Sequence, residues 1–285
     1  MSSVRCRIIF LAVSSLLLLL CLYQPPAPTE EATERQQRKT ELVREELPEI
    51  LLIAHRGDSA HCPENTMAAF LAAVKAGADG IELDIQETRD HAFVVCHDQN
   101  LFRTAGIDCS VSDLRCEELC QLDVGSWFSD QFCGQCIPTL EEVLRFGREN
   151  QLLLNIEIKG SLSSGAEATL SALLRHFQME DQCILACQDY SMLTRLKART
   201  PELRTLYVTI SPPVDLLSLV DADEISVLHS AVDAALIERA HDCGKRIHVW
   251  TVDTPELLRS MAALHPDAII TDDPALAKDI LEEAS

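Results

Sequence analysis

From residue 51 onward the chain alternates short β-rich runs with helical patterns, and few architectures accept that alternation. The β-rich runs are 51–54, 80–85, 92–96, 152–158, 183–187, 205–210, 224–228, 246–252 and 268–271. Helical patterns at 66–76, 140–150, 165–177, 191–199, 231–243, 255–264 and 274–283 separate most of them. Alternation over residues 49–285 predicts a parallel α/β fold, and the length suits a (β/α)₈ barrel, with a doubly wound sheet as the alternative. Nine runs is one too many for that barrel. Between Asp84 and His97 there is no room for the crossover helix that parallel pairing needs. The run 92–96 is therefore drawn as a hairpin partner of 80–85, turning at Arg89-Asp90. Paired residue numbers then sum to 179, and Glu82 faces His97.

The strand period of two places Ile81, Leu83 and Ile85 on one face and Glu82 and Asp84 on the other. Ile156-Glu157-Ile158-Lys159 repeats the pattern. The apolar faces suit the outer helices, so the charged faces point into the barrel at its C-terminal end, where barrel enzymes keep their sites. Three inward carboxylates need compensation, because an unpaired buried charge costs several kcal/mol. A divalent cation held by oxygen ligands supplies it, and Mg²⁺ or Ca²⁺ fits that ligand set. Ion pairs with Lys159 and Arg56 are the alternative.

His55-Arg56-Gly57 follows the first strand, and His97-Asp98 ends the hairpin strand. Two histidines converging on a carboxylate cluster suit general acid–base work, because imidazole titrates near neutrality. Arg56 offers a planar fork for phosphate and Lys159 a point charge. Pro63-Glu64-Asn65-Thr66 reads as a helix start capped by Asn65 or Thr66, with Glu64 placed to orient Arg56. Trp250 closes a late strand, either as core or as a ligand platform. Asp272-Asp273-Pro274 reads as the cap of the last helix.

The formal net charge is −21, all of it on residues 49–285, since 1–23 carry +2 and 24–48 carry −2. Such a body repels nucleic acid and anionic lipid surfaces. The +2 comes from Arg5 and Arg7, which precede the apolar run 8–23. That pattern reads as an uncleaved signal anchor, with a cleaved signal peptide and secretion as the alternative. The positive-inside rule then leaves the body extracytoplasmic or lumenal. Residues 24–48 read as a charged linker. Of the 12 cysteines, Cys109, Cys116, Cys120, Cys133 and Cys136 cluster in one stretch. Cys133 and Cys136 have zinc-like spacing but no second ligand pair. A disulfide or two is the better reading if the compartment is oxidising.

The ordered set AHRG (54–57), PENT (63–66), IELDI (81–85), VCHD (95–98), IPTLEEVL (137–144), NIEIK (155–159), VWTVD (249–253) and IITDDP (269–274) resembles the glycerophosphodiester phosphodiesterases over 51–284. The resemblance implies a TIM barrel with a small insertion, here near 99–136. It implies hydrolysis of glycerophosphodiesters to sn-glycerol 3-phosphate and an alcohol. By the same resemblance Glu82, Asp84 and Glu157 match metal ligands, His55 and His97 an acid–base pair, and Arg56 and Lys159 phosphate contacts. In the mechanism it implies, the glycerol 2-hydroxyl attacks phosphorus and water opens the cyclic phosphate. His97 as a metal ligand beside Glu82 is a second option. Cys187-Gln188-Asp189 departs from the Ser-Phe of many members, which bears on the alcohol pocket. Two other functions remain: a lysophospholipase D-like phosphodiesterase, with Leu101, Phe102, Trp127, Phe128 and Phe132 as an apolar patch, and a tethered non-catalytic binding module.

Overall fold

The structure, a computed structural model, describes residues 50–284. The anchor and linker expected at 1–48 lie outside the described residues. Eight strands run parallel in a closed ring: β1 (Leu51–His55), β2 (Gly80–Glu87), β4 (Leu153–Ile158), β5 (Cys183–Cys187), β6 (Arg204–Thr209), β7 (Glu224–Leu228), β8 (Arg246–Trp250) and β9 (Ala268–Thr271). Pairing of β1 with both β2 and β9 closes it. The ninth strand, β3 (Phe93–Val95), lies antiparallel on β2 outside the ring. The barrel therefore forms as expected, and the doubly wound sheet does not.

Closure buries most strands on both faces, which is why β5 reads as an unbroken apolar run. Helices α1 (Met67–Lys75), α4 (Leu140–Asn150), α5 (Ala166–Phe177), α6 (Tyr190–Arg199), α7 (Ala234–Asp242), α8 (Pro255–Ala262) and α9 (Pro274–Ala284) surround the ring. Their apolar sides, such as Phe70 and Leu144, pack on Ile81, Leu83 and Ile85. Two smaller clusters lie on the other side of the sheet. One contains Ile184, Ala186, Leu206 and Val208, the other Ile53, Ala268 and Ile270, and Leu153 and Trp250 touch both. Side-chain caps begin several of the helices: Thr139 exchanges hydrogen bonds with Glu142 at α4, and Asp189, Asp233 and Thr254 cap α6, α7 and α8. At the N-terminal ends of β6 and β7 a buried network links Arg204, Glu224 and His248, with His248 Nε2 2.6 Å from Glu224 Oε2 and Arg204 Nη2 2.7 Å from Oε1.

The hairpin register differs from expectation by one residue. Ile85 pairs with Val95 and Glu87 with Phe93, so paired numbers sum to 180, not 179. The turn contains three residues rather than two. Thr88 N donates to Ala92 O at 2.9 Å, His91 N donates to Thr88 O at 3.0 Å, and His91 takes a left-handed φ of 64°. A left-handed third position is the usual way a three-residue loop rejoins its strand. The register that set Glu82 against His97 is therefore not the one that forms. Beyond β3, residues 99–136 contain two short helices, α2 (Phe102–Ala105) and α3 (Cys116–Leu119). Leu101, Val111, Leu119 and Val124 there pack on Val94 and Cys96. The ten described cysteines are free thiols. No group of side chains placed to hold a metal includes a cysteine among the described residues.

Candidate active site

Glu82, Asp84 and Glu157 converge as their strand positions require. Each offers one carboxylate oxygen, and these oxygens lie within 4.8 Å of one another. Adjacent strands bring them together, with Asp84 directly beside Glu157 in the β2–β4 ladder. All three are buried. Burial, with the charge of Asp84 beside it, pushes the Glu82 carboxyl up to about 8. Burial raises that of Glu157 too. Burial also acts against the charge on Asp84, but Arg56 and Lys159 outweigh it and hold this carboxyl below its ordinary range. Arg56 Nε and Lys159 Nζ each lie 3.2 Å from Asp84, and Lys159 Nζ lies 2.7 Å from Glu157.

Both histidines face the same pocket. His55, Arg56, Glu82, His97, Asn155, Glu157, Lys159, Gln188 and Trp250 line it, with Val208, Ser226 and Ile270. Asp84, the remaining expected site residue, sits behind this lining and is 1% exposed. His55 Nδ1 is 2.6 Å from Asp272 Oδ1, and its Nε2 is 3.8 Å from Glu82 Oε2. Burial disfavours a charge on His55, but Asp272 and Glu82 prevail and raise its pKa above the ordinary imidazole value. His97 Nδ1 is 2.7 Å from Asp98 Oδ1. A carboxylate on Nδ1 fixes the ring and places a proton there, which leaves Nε2 to exchange protons.

Arg56 takes a left-handed φ of 56°, an uncommon conformation for a residue with a side chain, and its contacts hold it there. Its backbone N–H donates to Glu82 Oε2 at 3.1 Å and its Nη1 to Glu64 Oε1 at 2.9 Å, so Glu64 does orient Arg56. Gly57 follows at φ 86°, and a Cβ there would lie 2.6 Å from the Ala69 carbonyl carbon on α1. No other residue fits that approach.

Several supporting residues escaped the sequence reading. Asn65 does not cap α1; Thr66 does, accepting from Ala69 N. Asn65 instead donates Nδ2 to Asp84 Oδ2 at 2.8 Å and accepts the Asp84 N–H. Gln86 shares the inward face of Glu82 and Asp84, and its Nε2 donates to the carbonyls of Cys96, His97 and Asp98. Period two alone would have found it. In the sequence Asp272 and Asp273 read together as a cap. Only Asp273 takes that role, accepting from Leu276 N, while Asp272 turns back to His55. Trp250 is both core and wall: it packs in the two smaller clusters and lines the pocket, with Nε1 buried and without a hydrogen-bond partner. Of Cys187-Gln188-Asp189, only Gln188 lines the pocket.

The amino-acid sequence matches the glycerophosphoryl diester phosphodiesterase family over residues 55–276. The chain belongs to this family. The match begins at His55 and takes in every side chain of the pocket named above. A glycerophosphodiester phosphodiesterase of Caldanaerobacter subterraneus subsp. tengcongensis is 37% identical over 229 residues, 79% of this chain and 94% of that one. A lysophospholipase D of Mus musculus is 28% identical over 275 residues, 82% of this chain and 86% of that one. A phosphodiesterase of Oleispira antarctica, solved in complex with the product sn-glycerol-3-phosphate, superposes with a TM-score of 0.76 at 27% identity. That superposition covers 84% of this chain and 98% of the other.

Proposed function

We propose that this family member hydrolyses glycerophosphodiesters to sn-glycerol 3-phosphate and an alcohol. The observation that carries the reading is the convergence of two carboxylate-anchored histidines, three carboxylates and two cations on one pocket. A substrate panel of glycerophosphodiesters, with release of sn-glycerol 3-phosphate measured for each, tests it. No release from any of them would reject it.

Glu82, Asp84 and Glu157 are assigned as the holders of a divalent cation. The fit rests on chemistry: three buried oxygens lie within reach of one ion, and without one the Glu82 carboxyl is pushed towards its protonated form. An all-oxygen set favours Mg²⁺ or Ca²⁺. When bound, the cation supplies electrostatic stabilisation to charge developing on phosphate oxygens. Arg56 and Lys159 complement it from the protein side. One histidine Nε2 accepts the proton of the glycerol 2-hydroxyl as that oxygen attacks phosphorus. The other donates a proton to the departing alkoxide, which leaves as the alcohol. The roles then reverse: a water molecule gives up its proton, attacks the cyclic phosphate, and the 2-oxygen is reprotonated. Trp250 and Asn155, with a donor and an acceptor buried and unpartnered in the wall, are assigned to the substrate's hydroxyls.

A lysophospholipase D-like activity at the same site is favoured by one observation. Phe102 is 67% and Trp127 41% exposed, and the Trp127 ring lies over Arg103, whose Nε hydrogen-bonds to Asp98 beside His97. Leu101 is buried and belongs to the core instead. Turnover of lysophosphatidylcholine against glycerophosphocholine separates the two. We also assign residues 8–23, behind Arg5 and Arg7, as a membrane anchor with the barrel extracytoplasmic or lumenal. Among the described residues no helix is long and apolar enough to cross a membrane. Protease treatment of sealed vesicles, leaving the barrel intact only when it is lumenal, tests that orientation.

A further inference from the structure

Arg103 stands outside the barrel, on α2, and touches no part of the pocket lining directly. Its Nη1 donates to Glu64 Oε2 at 2.8 Å, its Nη2 to Glu64 Oε1 at 2.7 Å, and its Nε to Asp98 Oδ2 at 2.6 Å. Each of those carboxylates has a second partner in the pocket. Glu64 Oε1 accepts from Arg56 Nη1, and Asp98 Oδ1 meets His97 Nδ1. The Trp127 ring covers the guanidinium, its centroid 5.4 Å from the central carbon.

We propose that Arg103 is a positioning residue that holds Arg56 and His97 in fixed relation to each other. The assignment rests on the phosphodiesterase reading above, in which Arg56 meets the phosphate and His97 moves a proton. Arg56 arrives on the loop after β1 and His97 on the loop after β3. Within the chain of contacts from Arg56 through Glu64, Arg103 and Asp98 to His97, one guanidinium is the joint between the two loops.

A single exposed ion pair would not carry such a role, since its contribution is small. This one differs in geometry. Three N–H groups of one rigid plane engage two carboxylates, one of them bidentately, and every bond is charge-assisted. Burial opposes the charge on Glu64, yet Arg103 and Arg56 prevail and hold its carboxyl below the ordinary range. Lysine cannot replace the fork, because one ammonium cannot serve both carboxylates in that plane. Without Arg103, Glu64 and Asp98 keep only their pocket partners: Gln86 still holds the backbone after β3 and Asp84 still meets Arg56, but the side-chain link that sets Arg56 against His97 is gone. A misplacement of about 1 Å at reacting groups can cost roughly 10²-fold in rate.

The competing account is that Arg103 only fastens residues 99–136 to the barrel. The test uses Arg103→Ala and Arg103→Lys, assayed on glycerophosphocholine well below their melting temperatures. Arg103→Ala is expected to lose roughly 10²-fold in kcat/KM, through kcat and KM together, with Arg103→Lys recovering part of it. Glu64→Gln should act mainly on KM and Asp98→Asn mainly on kcat. Adding Arg103→Ala to that pair should cost nothing further. A folded Arg103→Ala variant with unchanged kcat and KM, or a fully additive triple variant, overturns the proposal. Should Arg103→Ala fail to fold, Arg103→Lys carries the same test. The imidazole ¹⁵N signals of His97 give a readout independent of turnover. They are expected to shift in Arg103→Lys, and unmoved signals overturn the assignment even if the wild-type chain leaves glycerophosphocholine intact. Inactivity of the wild type on every glycerophosphodiester rejects the phosphodiesterase reading instead.

Discussion

His55 and Asp272 meet across 217 residues of sequence, Nδ1 to Oδ1 at 2.6 Å, where the ends of β1 and β9 lie side by side. The contact fixes the His55 ring and leaves Nε2 towards the carboxylate cluster. Ring closure creates it, since β1 and β9 become neighbours only when the barrel is complete.

Asp272→Asn should therefore impair the chemistry without unfolding the chain. The amide keeps the size of the carboxylate but loses the charge that supports the imidazolium. A fall in kcat of roughly 10²- to 10⁴-fold is expected, by analogy with other carboxylate–histidine pairs. Steady-state kinetics on a variant with unchanged circular dichroism checks it. Wild-type kcat would show that Asp272 is a surface partner only.

The two histidines should be separable from the metal centre. His55→Ala and His97→Ala are each expected to lower kcat by about 10²- to 10⁴-fold. Calorimetric Mg²⁺ or Ca²⁺ affinity should persist in both, because the carboxylate trio contains neither. Loss of affinity in His97→Ala would make His97 a ligand despite the register that forms.

Much of this site was legible from one strand. In β2 the alternation of Ile81, Leu83 and Ile85 with Glu82 and Asp84 fixes which side chains turn inward. The same alternation extends to Gln86, which escaped notice because an amide carries no obvious chemistry. Other features depend on contacts that no local pattern encodes. Asp272 and Asp273 are identical neighbours, and only the closed ring shows which one caps α9 and which one holds His55. Glu64 and Arg103 are 39 residues apart, and their pairing follows from where residues 99–136 pack. The hairpin slipped by one residue because His91 adopts a left-handed conformation, which a short polar turn permits without announcing it.

Glu224 supplies a stability test remote from the pocket. His248 and Arg204 hold its carboxyl, against burial, down to about 2. A depressed pKa contributes stability that is full above the ordinary value of 4.5 and is lost as pH falls through about 2. Glu224→Gln leaves Arg204 and His248 without their anion and should destabilise the chain by roughly 3–5 kcal/mol near neutral pH. The difference from wild type should shrink as pH falls from 4.5 towards 2. Urea unfolding across that range measures it, and a gap independent of pH would contradict the assignment.

The central claim is that one metal-assisted pocket cleaves a glycerophosphodiester through two histidines. Phosphorus NMR of glycerophosphocholine incubated with the purified protein tests it most directly. The resonance of the diester should give way to that of sn-glycerol 3-phosphate, EDTA should stop the conversion, and Mg²⁺ or Ca²⁺ should restore it. Turnover that continues in a verified metal-free preparation, or in the His55→Ala/His97→Ala double variant, would contradict the account.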